Sequence, residues 1–203
     1  MKKTEYKVEL KKFAIKAVKS ALTGFNSGIK QSLSDTSIFC LSETKDNLLM
    51  WAHYADNHTG VVVKFKIVPE TDSPLESIKK VFYTDKIPEF PKFNISNNVV
   101  PDIYSLKGYV EELINIISLT KSIHWNYEKE WRIISKLRDK TKTSEIIPFA
   151  PEEVADVYLG LKIDSKNKQE IIEITKKHYP QAGIYQAVKS KDKYELIFEQ
   201  ITG

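Results

Sequence analysis

Two glutamates separated by a single residue are the first candidates for chemistry in this sequence. Glu128 and Glu130 lie in the stretch WNYEKEWRII at residues 125–134, beside Trp125 and Tyr127. In an extended chain, residues two apart point to the same side, so both carboxylates would face one site. Like charges on one face repel each other unless water, a cation or a substrate intervenes. Aromatic rings beside them would form a wall for a flat ligand, whereas the alternative is a solvated pair on an exposed strand.

Further candidate side chains crowd between residues 51 and 58, where Trp51, His53, Tyr54 and His58 occur. A zinc site is excluded there because His53 and His58 would face different sides of a helix, and no H-E-x-x-H is present. Ser42 lacks the G-x-S-x-G context of a hydrolase nucleophile, and the seven glycines form no phosphate-binding motif. The remaining chemistry is that of carboxylates, hydroxyls and aromatic rings.

A strand, a helix and a second strand are predicted to position these side chains within residues 37–67. The apolar run Ile38–Leu41 predicts a short buried strand. Asp46 or Asn47 can cap the following helix, because a short side-chain oxygen accepts the free amide hydrogens of a first turn. Gly60 suits a left-handed residue at the end of that helix, and the valines after it predict the second strand.

The rest of the chain predicts an α+β fold with a mixed, largely antiparallel sheet and flanking helices. The last two strands are separated by a short polar stretch and are expected to form a hairpin. The periodicity predicts helices at residues 104–123 and 165–178, and strands at residues 79–84, 130–137, 146–149, 155–159, 183–188 and 194–198.

Two regions are expected along the chain. Residues 1–36 are predicted to be an N-terminal basic amphipathic helix, Tyr6–Leu22, followed by a loop over Thr23–Asp35 that contains Gly24 and Gly28. Residues 37–203 are predicted to be a single α+β domain. The lysine-rich face of the first helix fits a membrane surface, nucleic acid or solvent, and a helix packed on the domain with solvated lysines is the favoured interpretation.

Composition indicates a globular protein of 203 residues with a formal net charge of +4, carried almost wholly by lysine. The single cysteine, Cys40, excludes disulfides within the chain and favours a reducing compartment; it is interpreted as a small buried apolar residue. No apolar run approaches the roughly 20 residues that span a bilayer, and no signal peptide is recognisable. We therefore expect a cytoplasmic protein without a membrane partner.

Several motifs spread over residues 37–198 carry a family resemblance. They are CLSE, LLMWAHYADNHTGVVVKF, KVFYTDKIP, LTKSIHWNYEKEWRII, VYLG and IYQAVKSKDKYELIF. Together they resemble the uncharacterised bacterial domain-of-unknown-function family 2971. More distantly, the layout is similar to the ADP-ribosyltransferase superfamily, in which a strand ending in a serine leads into a helix with an aromatic residue and a later E-x-E enters another strand.

The superfamily resemblance implies a bacterial effector of the toxin or phage-defence type that binds NAD and transfers ADP-ribose or hydrolyses NAD. Glu130 would stabilise the oxocarbenium-like ribose, and Glu128 would help to activate the acceptor. Ser42 would hold the nicotinamide ribose, and Tyr54 or Trp51 would stack on the ring. The partners implied are a small-molecule nucleotide and a protein or nucleic-acid acceptor.

The dinucleotide anchor is the point at which the sequence departs from that superfamily. The superfamily carries an arginine or histidine in its first strand, whereas this sequence has neither before His53. The resemblance would then require Arg132, His53 or a lysine such as Lys121 to hold the dinucleotide, with Tyr127 as a further contact.

Two other function classes remain open from the sequence. One is a non-catalytic module of the same fold that binds a ligand or a protein, and the missing first-strand anchor favours it. The other is nucleic-acid binding through the N-terminal lysines, which would weaken steeply with salt. In both cases Trp51 is a plain core residue and Ser42 is a polar strand end. The oligomeric state is not predicted.

Overall fold

The computed structural model describes residues 16, 20, 23–90 and 103–201, and the chain separates into two compact units. The first takes in the chain up to Ser37, Glu89–Ser118 and Ser135–Glu145, and the second takes Ile38–Pro88, Leu119–Ile134 and Ile146 onwards. The boundary expected between residues 36 and 37 stays a prediction. In chain order the described elements are α1 (residues 23–34), β1 (Thr36–Ser42), α2 (Leu48–Tyr54), β2 (Val61–Phe65), β3 (Lys79–Lys80), β4 (Phe82–Thr84), α3 (Ile103–Leu119), β5 (Thr120–Ser122), β6 (Glu130–Lys136), β7 (Val154–Leu159), α4 (Ser165–His178), β8 (Gly183–Lys189) and β9 (Leu196–Gln200).

Helix α1 corrects the prediction of a loop over residues 23–35. Its two glycines are exposed, and each costs a helix only about 1 kcal/mol relative to alanine, so they do not end it. Ser27 donates a hydrogen bond to the carbonyl of Thr23, and the ring of Phe25 lies 5.9 Å from that of Tyr109 on α3. Packing of this kind offsets the weak local propensity. The helix predicted over Tyr6–Leu22 lies outside the described residues, apart from residues 16 and 20, which are helical.

The strand–helix–strand prediction for residues 37–67 is confirmed, with one correction at the end of the helix. Asn47 caps α2, since its side chain accepts the N–H groups of Leu49 and Met50 at 2.9 and 3.2 Å. The left-handed backbone that follows is not at Gly60, as predicted, but at residues 56–58, where φ is 45°, 53° and 73°. Asparagine, aspartate and histidine tolerate this region better than most side chains do.

The largest sheet of the described residues has the order β2-β7-β8-β9. Strands β7 and β8 are parallel and are joined through α4, while β2 with β7 and β8 with β9 are antiparallel. The predicted hairpin of β8 and β9 is therefore confirmed. A core of Val154, Val157, Leu159 and Ile184 supports this sheet.

A second sheet has the order β1-β6-β3, so β6 is its central strand. The segment predicted as one strand over residues 79–84 changes partner midway: β3 pairs with β6, whereas β4 runs parallel to β5. Residues 146–149, predicted as a strand, form none. Helices with mixed, largely antiparallel sheets confirm the α+β class.

Strand β1 is exposed, which corrects the prediction that it is buried. Ile38 and Phe39 are 43% and 49% exposed to solvent, and Cys40 is also exposed. The apolar run predicted the strand correctly, but β1 lies at the edge of its sheet and so has a neighbouring strand on one side only. An apolar sequence pattern alone does not distinguish an edge strand from a central one.

Candidate functional site

The two candidate carboxylates meet, although not through the predicted extended backbone. Glu128 ends a short 3₁₀ helix, Ile123–Glu128, and Glu130 begins β6. Lys129 between them is left-handed, with φ of 45°. This reversal brings both carboxylates to the ammonium group of Lys121, which contacts Glu128 and lies 3.1 Å from Glu130.

Lys121 is the shared cation of this cluster. Glu128 and Glu130 are 2% and 6% exposed, so their repulsion would be large without a neighbouring positive charge. Burial lowers the pKa of Lys121, but its bonds to the two glutamates outweigh that effect and raise the pKa above its ordinary value. The ammonium also lies 5.1 Å from the ring centre of Trp125, a cation–π contact.

Arg132 holds Glu130 by both carboxylate oxygens. Its Nε and Nη2 donate to Oε1 and Oε2 of Glu130 at 2.8 and 2.9 Å, a bidentate pair. Burial raises the pKa of Glu130, but hydrogen bonds from Arg132, Cys40 and Lys121 outweigh it and lower the pKa to about 2. Glu130 is therefore ionised at neutral pH, and its carboxylate is already bound by two cations.

Ser42 and Asn47 brace the backbone of the 3₁₀ helix. The hydroxyl of Ser42 donates to the carbonyl of Glu128 at 2.7 Å, and the amide of Asn47 donates to the carbonyl of Tyr127 at 3.2 Å. Ser42 thus lies beside the glutamates, but its bond is to the main chain, and its role as a ribose contact stays a prediction. Bonds of this kind fix the position of the Glu128 side chain.

Exposed aromatic residues border the carboxylates. The hydroxyl of Tyr54, a residue 63% exposed, donates to Oε1 of Glu128 at 2.8 Å. This hydrogen bond, together with burial, raises the pKa of the Tyr54 phenol. His53 is exposed and its ring centre lies 6.3 Å from that of Tyr54, while Tyr127 is half-buried with its ring 6.0 Å from Trp125. The structure therefore brings His53, Tyr54 and Tyr127 to the border of one site.

Trp51 does not lie at the border of this site. The prediction that its ring could stack on the nicotinamide is therefore corrected. Trp51 is 1% exposed and packs in a core with Tyr158 and Leu196. Its indole N–H donates a hydrogen bond to the carbonyl of Lys45 at 2.7 Å, so the polar group of this buried ring has a partner. The alternative interpretation, a plain core residue, describes Trp51.

Sequence analysis did not assign two residues of this cluster, Cys40 and Tyr83, to the site. Backbone bonds from Glu43 to Lys129 and from Leu137 to Asp35 set β1 antiparallel to β6, which places Cys40 opposite Arg132. Although the residue is exposed, partial burial of its thiol and the adjacent Glu130 carboxylate raise the pKa of Cys40 to about 11, so the thiol is protonated at neutral pH.

The other missed residue is Tyr83, whose hydroxyl accepts the N–H of Glu130 at 2.8 Å. Burial raises the pKa of this phenol. Cys40 could have been predicted, because it is two residues from Ser42 and so lies on the same face of β1. Tyr83 could not, because it is distant from Glu130 in sequence.

The described residues offer neither a metal site nor a membrane span. Across residues 23–90 and 103–201, no cluster of histidine, cysteine, aspartate or glutamate side chains is suited to hold a metal ion. None of the helices in the described part of the chain is long and apolar enough to cross a membrane.

Comparison with known proteins gives a match to a family model. The family model described as "Protein of unknown function (DUF2971)" matches residues 50–133. No curated protein and no solved structure matches the chain. The match supports the resemblance to this unknown-function family over a region that contains Tyr54, Glu128, Glu130 and Arg132, while Ser42 precedes it. Similarity to the ADP-ribosyltransferase superfamily remains a hypothesis.

We expect acid to weaken the protein through Glu130. Its pKa falls from an ordinary 4.5 to about 2 on folding, so the unfolded chain takes up a proton before the folded chain does. The stability that the carboxylate contributes is therefore present above pH 4.5 and is lost as the pH falls from 4.5 to about 2. Urea denaturation across this interval measures the loss.

Glu130→Gln should flatten part of this pH dependence, because the amide does not titrate. Glu199→Gln, a matched change at an exposed glutamate on β9, should retain the full slope. A Glu130→Gln protein with the slope of the unsubstituted chain would show that Glu130 is not the titrating group.

Proposed function

We propose that this protein is an ADP-ribosyltransferase-like bacterial effector, of the toxin or phage-defence type, that binds NAD and transfers ADP-ribose or hydrolyses NAD. The observation that carries the proposal is the meeting of two carboxylates, Glu128 and Glu130, around one cation. A site that binds an ammonium group between carboxylates has the charge that stabilises a ribosyl cation. Lys121 marks the position of positive charge.

In the proposed reaction, the bond between the ribose anomeric carbon and the nicotinamide nitrogen breaks, and the electron pair leaves with nicotinamide. Glu130 orients the ribose hydroxyls and stabilises the oxocarbenium-like carbon. An acceptor hydroxyl, amine or water forms the new bond to that carbon and gives its proton to Glu128. Lys121, which is 21% exposed, must move aside so that oxygens of Glu128 and Glu130 become available.

The residues present fit part of an NAD molecule. The exposed ring of Tyr54 beside Glu128 suits stacking against nicotinamide, and Ser42 lies next to the same glutamate. Arg132 is already bound to Glu130 by two bonds, so it is a poor anchor for the pyrophosphate. His53, exposed beside Tyr54, is the better candidate for that contact.

Nicotinamide release from NAD tests the proposal. We expect the purified protein to release nicotinamide, and Glu130→Gln and Glu128→Gln each to lower the rate by about 100-fold or more. The matched control Glu199→Gln should leave the rate unchanged. Release that persists in both site variants would contradict the assigned roles, and the lack of both release and thermal stabilisation by NAD would contradict the proposal.

The second candidate is a non-catalytic ligand- or protein-binding module of the same fold. Its supporting observation is that Arg132 and Lys121 already neutralise Glu130, as in a structural ion-pair network. NAD that raises the unfolding temperature without releasing nicotinamide would favour this candidate. Nucleic-acid binding through the N-terminal lysines involves residues outside the described ranges and stays a hypothesis from the sequence.

A further inference from the structure

A cleft of about 640 Å³ lies in the second unit, and neither of the two carboxylates lines it. Two runs of consecutive residues line it: residues 41–46, which include the end of β1, and residues 62–67, which include most of β2. Side chains alternate between the two faces of a strand, so consecutive lining residues mean that the cleft follows the edge of β2 rather than one face of it.

The edge of β2 that borders this cleft has unused hydrogen-bonding groups. The Gly160 N–H bonds to the Gly60 carbonyl, and the Lys66 N–H bonds to the Glu153 carbonyl. Bonded and non-bonded pairs alternate in an antiparallel ladder. Val63 and Phe65 therefore direct their N–H and C=O groups away from β7. Within the described residues, no backbone bond engages these groups.

The cleft reaches β6 through Trp131, the residue that follows Glu130 in the chain. Glu130 and Arg132 point to one face of that strand, and Trp131 between them points to the other. Trp131 lines the cleft together with Leu75 and Ile78. These apolar side chains can accept alternate side chains of a bound strand.

The charged residues of the cleft favour an acidic partner. Both acids that line it are engaged: Glu43 accepts from Lys80 and from the indole of Trp131, each at 2.8 Å, and Asp46 accepts from a threonine hydroxyl. Lys45 and Lys66 are exposed and have no ion-pair partner among the residues that the structure describes. Three lysines and two acids line the cleft, so the net charge of its lining is positive.

We propose that this cleft binds an extended peptide segment of alternating apolar and acidic residues, which adds as a strand to the free edge of β2. The peptide backbone forms hydrogen bonds with the backbone of Val63 and Phe65. Its apolar side chains enter the cleft beside Trp131, and its acidic side chains form ion pairs with Lys45 and Lys66. A volume of about 640 Å³ is sufficient for a short extended segment.

Fluorescence anisotropy with a labelled heptapeptide that alternates valine and glutamate tests this binding. We expect saturable binding that weakens by about tenfold or more in the Lys45→Glu, Lys66→Glu double variant. Lys191→Glu, a charge reversal in the exposed turn after β8, should not weaken it. The matched valine–lysine peptide should bind more weakly than the valine–glutamate peptide.

Removal of the edge hydrogen bonds tests strand addition itself. Val63→Pro deletes an outward N–H, a change that edge strands tolerate, and should abolish binding. Methylation of alternate peptide nitrogens removes the same kind of bond from the ligand side without affecting the fold of the protein. No saturable binding of the valine–glutamate peptide, equal binding of the lysine peptide, or full binding of the methylated peptide would each overturn the proposal.

Discussion

We expect Arg132→Met to lower the free energy of unfolding by about 3–5 kcal/mol. Arg132 makes two hydrogen bonds to Glu130, a carboxylate that is only 6% exposed. Methionine keeps most of the volume of the side chain but leaves the carboxylate with Lys121 as its remaining cation. A buried charge that loses its main partner is among the most destabilising changes in a protein. Chemical denaturation at neutral pH measures the loss.

Two further variants separate the charge from the packing. Arg132→Lys keeps a positive charge but not the paired geometry, so it should cost less than Arg132→Met. Glu130→Leu combined with Arg132→Met removes both charges and should recover a large part of the stability. A loss of less than about 1 kcal/mol for Arg132→Met would mean that the pair behaves as a solvated surface ion pair.

The second large effect is expected at Gly160, which follows β7. A Cβ atom there would lie 2.2 Å from the carbonyl oxygen of His58 and 2.7 Å from that of Gly60. Both obstacles are backbone atoms, and Gly60 also accepts the Gly160 N–H at 2.9 Å, so neither can move without breaking the turn. We expect Gly160→Ala to lower the free energy of unfolding by about 3 kcal/mol.

Gly28→Ala is the matched control for that change. Gly28 lies in α1, and among the described residues no atom outside the adjacent helix backbone lies within 4 Å of the position that an added methyl group would occupy, so alanine should stabilise the helix by about 0.5–1 kcal/mol. Thermal and urea unfolding of both variants make the comparison. A Gly160→Ala protein as stable as the unsubstituted chain would show that the β7 turn is free to shift.

The regular elements were predictable because their patterns are local. The asparagine cap and apolar spacing of α2 are contained within one short stretch, as are the alternating strands of the closing hairpin. The predicted loop over residues 23–35 was wrong because glycines suggest an irregular chain, whereas packing of Phe25 against Tyr109 depends on a distant segment. The strand predicted over residues 146–149 had apolar residues but no pairing partner.

The candidate site was predictable in its residues but not in its bonds. The spacing of Glu128 and Glu130 suggested that they share a face, and they do meet, but through a left-handed Lys129 rather than an extended chain. The role of Cys40 depends on pairing between β1 and β6, which are far apart in sequence, whereas Lys121 meets both glutamates because the chain reverses locally at Lys129. Trp51 was assigned to the site because of its neighbours, although its size favours a core position once a sheet lies beneath it.

The two braces of the 3₁₀ helix also set the order of events during synthesis. Asn47 and Ser42 bond to backbone groups that lie 80 and 86 positions further along the chain. At ordinary translation speeds, the ribosome adds those 80 residues in about 4–16 seconds. During that time Asn47 has been synthesised, but the Tyr127 carbonyl to which it donates has not. The carboxylate cluster is thus assembled only after β6 has emerged. A fragment limited to residues 50–133, the region of the family match, would contain both glutamates without either brace.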